Sequence, residues 1–383
     1  MKEKILVINA GSSSVRFSVF AGSEEILRGV VDQIGAKTDY AMTKYFWESN
    51  EYLENRKVKN YEEAVSLIIE ILNKYEIRVD KVVHRVINGM KFTAPQVINE
   101  KVMRIMEIIA PTSPLHMISQ IKIIKELMKR IKVKHIAFFD NSFHAGMPDY
   151  ASTYGIPIRL SRKYDIKRFG FHGIAHRAMY NEMNAIAKKK FERMITCQIG
   201  NGVSVCAIKN GKSIDTSMGF TPLEGLMMGT RAGNVDPYLI KYLADKEGIG
   251  LNRVIEILEK ESGLKGFVGE SDMRIVLKKA REGDKNAKLA IEIYCYGIVK
   301  QISAYVGVLG GVDAIVLGGG ISRSWIIRNK ILKGLEFLGI KVDESKKSEE
   351  TPQRITLGAS KVPVWVIEAN EETEMLRECL RIL

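Results

Sequence analysis

The sequence predicts an α/β protein built from two domains, and three observations carry that reading. Strand-like apolar runs alternate with amphipathic helical stretches along the whole chain. A length of 383 residues exceeds what one hydrophobic core usually serves. A layout of strand, Gly/Asn/Ser turn, strand, turn, strand stands near the start and returns from Met194.

The elements follow in order. KILVINA and VRFSVF read as adjoining strands, with a third at EILRGVV. YEEAVSLIIEILNKYE reads as a helix because Ala64, Leu67, Ile68, Ile71 and Leu72 fall on one face. KVVHRV is a strand, the stretch from about His116 to Ile131 a long amphipathic helix, and HIAFFD a buried strand ending in Asp140. PDYASTYGIPIRLSRKYDIKRFGFHG is loop-rich, and the domain boundary is expected near its start. Domain I is expected over residues 1–145, joined by a C-terminal helix over 372–383, and domain II over 146–371. The second cycle opens with MITCQIGNGVSVCAIKNGKSIDTS as three strands. Helices run from about Pro237 to about Gly310, VDAIVLGGG is a strand entering glycines, and VPVWVIEAN is a last strand before the helix EETEMLRECLRIL. The halves share a layout while their sequences barely match, and an internal duplication is the simplest account.

Composition narrows the function classes. Hydrophobic residues at 46% and charged residues at 27% are globular values. The formal charge of +13 is compatible with nucleic acid or anionic small molecules as partners. The lysines are dispersed, as in IKIIKELMKRIKVK, and no basic block is interleaved with aromatics, so a solvated basic surface is favoured over a nucleic-acid stripe. Cys197, Cys206, Cys295 and Cys379 form no CxxC pair and no metal-finger spacing, which points to buried free thiols in a reduced compartment. No apolar signal core follows a basic start, and no uncharged stretch reaches membrane-spanning length. A cytoplasmic location, with neither membrane nor nucleic acid as partner, is expected.

Two turns raise the question of a ligand. NAGSSS at Asn9 to Ser14 joins the first two strands, and the segment from Gly200 to Ser204 occupies the matching place in the second half. Glycine lets backbone N–H groups approach a ligand closely, and serine hydroxyls donate to phosphate oxygens. Either turn alone also reads as a plain hairpin connection; their corresponding places, with VLGGG besides, favour a polyphosphate clamp. The NGKS at Asn210 to Ser213 is not a P-loop, because the required first glycine falls at Cys206.

Longer motifs then agree on one family. NAGSSS, FDNSFHAGMP (139–148), RFGFHGIAH (168–176), DTSMGFTPLEGLMMGTRAGNVDP (215–237), SDMR (271–274) and NEE (370–372) together resemble the acetate kinase family, over nearly the whole chain and in the right order. The resemblance implies two ribonuclease-H-like domains of the actin-like ATPase type with a cleft between them. Domain II would bind nucleotide and mediate a homodimer. The implied reaction is magnesium-dependent, reversible transfer of the ATP γ-phosphoryl group to acetate, giving acetyl phosphate and ADP. A propionate or other short-chain carboxylate kinase is the near alternative. A sugar kinase and a catalytically impaired nucleotide-binding regulator on the same fold are alternatives of other classes.

The chemistry explains the residue types. A carboxylate meeting the γ-phosphoryl at 4 Å with an effective dielectric of about 20 is repelled by roughly 4 kcal/mol, so cations must offset the charge. Arg85 and Arg231 match positions that hold the carboxylate and the moving phosphoryl group, and His172 matches a histidine that hydrogen-bonds that group. A carboxylic acid is already ionised at neutral pH, so Asp140 is not needed as a base and is assigned to magnesium with Glu371 and Asn9. HGIAH gives His172 and His176 metal-ligand spacing, but the glutamate of HExxH is absent, and zinc is not expected. Ile87, Leu115, His116, Phe171 and Pro222 match the acceptor pocket, whose apolar members suit a small methyl group. Ser12, Ser14, Gly200, Asn201, Gly202, Asp272, Met273, Arg274, Gly319, Gly320 and Ile321 match the nucleotide site. The chain departs from the family pattern at Gln198, Asn88, Asn234 and Ser322 to Ser324. Gln198 replaces a histidine, so it can donate a hydrogen bond there but carries no charge.

Overall fold

The structure is a computed structural model that describes residues 2–11, 13–35, 41–48 and 50–382. It divides into two compact units. One is Met1–Ser142 with Asn370–Leu383, and the other is Phe143–Ala369.

The first unit is organised on a sheet whose central strands are apolar along their length. β1 (Lys4–Ala10) pairs antiparallel with β2 (Val15–Ala21), and β2 pairs antiparallel with β3 (Glu24–Val31). β4 (Ala41–Trp47) and β5 (Asn50–Arg56) continue the antiparallel run outward. On the other side of β1 lie β6 (Lys81–Val86) and β8 (Lys134–Phe139), both parallel, and the short β7 (Gln96–Val97) closes that edge. Ile5, Leu6, Val7 and Ile8 are all buried, as a strand covered on both faces requires. Helix Tyr61–Lys74 buries Ala64, Leu67, Ile68, Ile71 and Leu72, the face its periodicity predicted. The Asn60 side chain accepts from the Glu63 N–H at 2.9 Å, while the Glu63 carboxylate accepts from the Lys59 N–H at 2.8 Å, so first-turn donors are satisfied from both sides.

The second unit repeats the plan. β9 (Arg193–Ile199), β10 (Val203–Lys209) and β11 (Lys212–Thr216) form an antiparallel meander. β12 (Ala314–Gly318) and β14 (Val364–Val366) add in parallel beside β9, and β13 (Gln353–Arg354) pairs antiparallel with β14. The sheet orders are β5-β4-β3-β2-β1-β6-β8-β7 and β11-β10-β9-β12-β14-β13. Each contains three antiparallel strands, then two parallel ones, then a short antiparallel edge, and the first sheet adds β4 and β5 outside its three. That shared order is the topological form of the duplication inferred from the turns. Helix Gly173–Ala187 covers the second sheet with Met179 and Met183 against Met194 and Val316.

Several elements were not read from the sequence, helices Glu100–Ile109 and Trp325–Lys333 among them. The β4–β5 hairpin was not read as strands; NEYLENR is mostly charged and polar, and of β4, Thr43 and Tyr45 are buried. The loop-rich stretch holds the short helices Asp149–Ser152 and Ile158–Tyr164, the second preceded by Pro157 and ended by Asp165 in a left-handed conformation. Among the described residues no helix is long and apolar enough to cross a membrane.

Candidate active site

In the first unit the parallel strands deliver four of the expected residues to one place. Asn9 stands near the end of β1, Arg85 near the end of β6, Asp140 directly after β8, and Glu371 at the start of helix Glu371–Ile382. Arg85 donates from Nε and Nη2 to the two Asp140 oxygens at 3.1 and 2.7 Å. Its Nη1 donates to Glu371 Oε2 at 2.7 Å and to Asn9 Oδ1 at 3.1 Å. Four of the five guanidinium N–H groups are therefore used within the cluster, leaving one on Nη2 for a ligand. The Asn9 amide donates to Glu371 and Glu372, both at 2.9 Å.

Burial governs the electrostatics of this cluster. It works against the Arg85 charge, but Asp140 and then Glu371 more than offset it, and the guanidinium stays above its ordinary pKa. Burial also pushes the Glu371 carboxyl up to about 7. Arg85 opposes that shift, while Asp140 and Glu372 add to it.

The NAGSSS turn is a hairpin connection held from outside. Gly11 N–H donates to the Ser14 carbonyl at 2.8 Å, Ser119 Oγ donates to the Gly11 carbonyl at 3.1 Å, and Gln120 Nε2 to the Ala10 carbonyl at 3.1 Å. Ser119 and Gln120 belong to helix Pro114–Arg130. Gln120 also accepts from the Ile87 N–H at 3.1 Å, which ties the turn to the segment after Arg85. Ile87 is buried and His116 half-buried. Ser12 lies outside the described residues, as does the Leu115 side chain. Asn88 accepts from the Met90 N–H at 2.9 Å, so that departure serves its own loop.

The second unit assembles a different set. His172 precedes helix Gly173–Ala187 in a left-handed conformation, φ 56°, an arrangement uncommon outside glycine and found where a site demands it. The β9–β10 turn passes beside it. A Cβ added to Gly202 would lie 3.2 Å from His172 Cε1, 3.3 Å from His172 Nε2 and 3.9 Å from Arg231 Nη1, so the turn, the imidazole and the guanidinium meet. Arg231 Nη1 also reaches the Pro222 carbonyl at 3.5 Å and Met228 Sδ at 3.7 Å. Gly229 N–H donates to the Asn201 carbonyl at 2.9 Å and Tyr294 Oη to the Gly200 carbonyl at 3.2 Å. Gly319, at φ 83°, stands where a Cβ would lie 2.6 Å from the Ile199 carbonyl, so only glycine allows VLGGG to approach the same turn. Gly320 and Ile321 follow in a short 3-10 turn, in which Ser322 Oγ donates to the Gly319 carbonyl at 2.7 Å.

Gln198 Oε1, near the end of β9, is buried with no hydrogen-bond partner among the described residues, which marks this turn as a place where a donor is wanted. Phe171 and Pro222 are buried in this unit. Asp272 caps helix Met273–Arg281 by accepting from the Arg274 N–H at 2.8 Å. It also pairs with the exposed Arg274 side chain at 2.5 Å, while Met273 is buried. Replacing Gly202 by alanine should lower kcat about ten- to hundredfold, because the methyl group displaces His172 while the fold persists. Steady-state kinetics beside a thermal melt checks this.

Three residues that sequence reasoning left aside support His172. Ser204 Oγ lies 2.9 Å from His172 Nδ1 and 2.8 Å from His176 Nε2. His176 Nδ1 lies 2.8 Å from Thr196 Oγ1. The HGIAH spacing carried the signal: it sets the two imidazoles one helical turn apart, and both contact the Ser204 hydroxyl. A second missed group is Glu224, which accepts from Tyr154 Oη and from Arg168 Nη2, the latter at 2.6 Å. It pins the loop that carries Pro222.

His84, His135 and His144 are buried in hydrogen-bonded contacts of their own. His84 Nε2 and His135 Nδ1 lie 2.8 Å apart in the first unit; in the second, His144 contacts Ser213 Oγ at 2.7 Å and the Phe171 carbonyl at 3.0 Å. Burial lowers the pKa of His84, His135 and His176 from 6.5, and that of His144 to about 4. Unfolding lets these imidazoles take up protons, so their stabilisation is full above about pH 6.5 and is lost as pH falls. Glu371, raised from 4.5, and Asp215, raised from 3.8, run the other way, two groups against four. Stability should therefore decline on acidification from pH 6.5 to 5, by about 1.4 kcal/mol per pH unit for each net proton. Chemical unfolding across that range tests the sign, and a rising profile would contradict it.

The acetokinase family profile matches residues 4–377. The chain belongs to the acetokinase family. It is accordingly a kinase, a phosphotransferase with a carboxyl group as acceptor. It is similar to the acetate kinase of Acetivibrio thermocellus, with 40% identity over 397 residues covering 99% of each protein. Among solved structures, a propionate kinase from Francisella tularensis superposes with a TM-score of 0.91 at 32% identity, covering 98% of both chains. Porphyromonas gingivalis acetate kinase gives 0.88 at 32% identity, covering 99% of both. The fold is thus the two-domain actin-like ATPase fold that the motifs implied.

Proposed function

We propose that this kinase transfers the γ-phosphoryl group of ATP to acetate, reversibly, forming acetyl phosphate and ADP with Mg²⁺. The observation that carries the reading is the meeting of Gly202, His172 and Arg231: a glycine turn, an imidazole and a guanidinium at one point suit a phosphoryl group in transfer. In this reading Gly200 to Gly202, Gly319 to Ile321 and Asp272 to Arg274 attend the nucleotide, with Ser12 and Ser14 at its phosphates. Arg231 and His172 hold the moving group, and the remaining Arg85 N–H receives the acceptor carboxylate.

The donor set in the first unit fits Mg²⁺. Asp140 and Glu371 share one guanidinium while Glu372 accepts from the Asn9 amide, so negative charge is in excess; burial raises the Glu371 carboxyl first, and Asp140 and Glu372 add to that. Among the described residues no three His, Cys, Asp or Glu side chains are grouped to hold a metal. Mg²⁺ keeps several waters and takes only one or two carboxylates, so Asp140 and Glu371 with the Asn9 amide would suffice. When bound, the ion supplies charge neutralisation at the phosphates. Asn9 and Arg85 keep the carboxylates oriented.

Acetate is favoured over larger acids on the family resemblance, since Ile87 is bulkier than the valine the family commonly has at the matching position. The propionate reading stays second, since one methylene is worth only about 1 to 3 kcal/mol and a propionate kinase shares this fold. A homodimer is supported by the exposed Tyr238, Tyr242 and Tyr296 on helices of the second unit. A reduced, cytoplasmic setting is supported by four buried free cysteines.

Trapping of acyl phosphate by hydroxylamine, with ATP, Mg²⁺ and acids from formate to butyrate, tests the assignment. Acetate should give the highest kcat/KM, and chelation of the metal should abolish turnover. No product from any acid would sink the proposal.

A further inference from the structure

The chain of side chains behind His172 has a direction, and proton accounting decides it. Thr196, His176 and Ser204 are all fully buried. Among the described residues Thr196 Oγ1 has His176 Nδ1 as its partner and no other, and Ser204 Oγ has only His172 Nδ1 and His176 Nε2. Each hydroxyl carries one proton, and a neutral imidazole carries one. His176 is held neutral by burial beside His144 and His172.

If both imidazoles donate to Ser204, the serine's own proton is stranded in the core; two arrangements remain. If His172 Nδ1–H donates to Ser204, the serine donates to His176 Nε2, and His176 Nδ1–H donates to Thr196. The threonine proton is then left in the core without an acceptor, which native interiors avoid. In the opposite direction Thr196 donates to His176 Nδ1, His176 Nε2–H donates to Ser204, and Ser204 donates to His172 Nδ1. Every proton is used. The His172 proton then sits on Nε2, 3.3 Å from the position a Cβ on Gly202 would take, a position 3.9 Å from Arg231 Nη1.

We propose that Thr196, His176 and Ser204 form a one-way hydrogen-bond chain that fixes His172 as its Nε2–H tautomer, so that a neutral imidazole donates to the transferring phosphoryl group. The three are positioning residues, acting through His172. The functional half of the statement rests on the role proposed for His172 above, whereas the tautomer does not. A fixed neutral donor supplies a hydrogen bond without requiring the ring to be protonated, while Arg231 supplies the charge.

The test is the tautomeric state of His172 in the full-length protein labelled with 15N-histidine, without substrate, at pH 7.5. Two-bond 1H–15N correlations separate the six histidines by tautomer, with His172 identified by its loss in His172→Gln. The expected pattern is a protonated Nε2 and an accepting Nδ1. Thr196→Val removes the first donor with little change of shape: His172 should become a mixture of tautomers, and kcat should fall about tenfold with KM for ATP unchanged. Thr196→Ser should restore both. An Nδ1–H tautomer or an imidazolium in the wild type overturns the proposal, as does an unchanged His172 spectrum in Thr196→Val. The wild-type spectrum decides even if that variant fails to fold. Because the spectrum needs no turnover, its outcome is separate from that of the hydroxamate assay.

Discussion

Arg231→Ala is expected to lower kcat by about three orders of magnitude or more, the range over which an arginine stabilises a phosphoryl-transfer transition state. Its guanidinium reaches the Gly202 turn beside His172 Nε2, and no other cation is seen at that point among the described residues. Stability should move little or rise. Burial lowers the pKa of this arginine, and Glu259 offsets that only in part, so its charge is a cost to the fold. Loss of turnover with an unchanged melting temperature is therefore the expected pair of results. Arg231→Lys should not rescue, since an ammonium cannot present a planar fork to phosphoryl oxygens. Activity retained within tenfold in Arg231→Ala would remove the residue from the mechanism.

Arg85→Ala should give the opposite pairing, with stability and activity lost together. Removing the guanidinium leaves Asp140 and Glu371 facing each other in a buried site, and breaking such a pair costs about 3 to 5 kcal/mol. Protonation of Glu371 relieves part of the repulsion, so the loss should be smaller at pH 5.5 than at pH 8. Arg85→Ala combined with Asp140→Asn should cost less than the sum of the single changes, because the second removes a charge that the first has orphaned. Chemical unfolding of the four proteins in this cycle at both pH values measures the coupling. Additive losses would mean that the bidentate pair does not act as a unit.

The site was legible in the sequence to an uneven degree. Asn9, Arg85, Asp140 and Glu371 were each picked out by motif, and the fold brings them within hydrogen-bonding distance across separations as large as 362 residues. Their mutual use was not legible. Arg85 was expected to face ligands, and in the structure it spends four of its five N–H groups on its own cluster. His172 was picked out too, but Ser204 and Thr196 look like any small polar residues on buried strands. Their importance lies in facing His172 and His176, and which side chains of a strand face a neighbouring helix is decided by packing. Similarly, SDMR was read as a ligand motif, and the structure adds a local task that the motif did not show, Asp272 capping its own helix.

By itself the sequence determined the pattern of strands and helices, the duplication and the identity of the glycine turns, because side-chain periodicity and backbone freedom are local properties of the chain. Tertiary structure alone decided which strand ends meet, that both sheets share one strand order, and in which direction the protons behind His172 can point. Those depend on distances between residues remote along the chain, and on whether each buried donor finds an acceptor once water has been excluded.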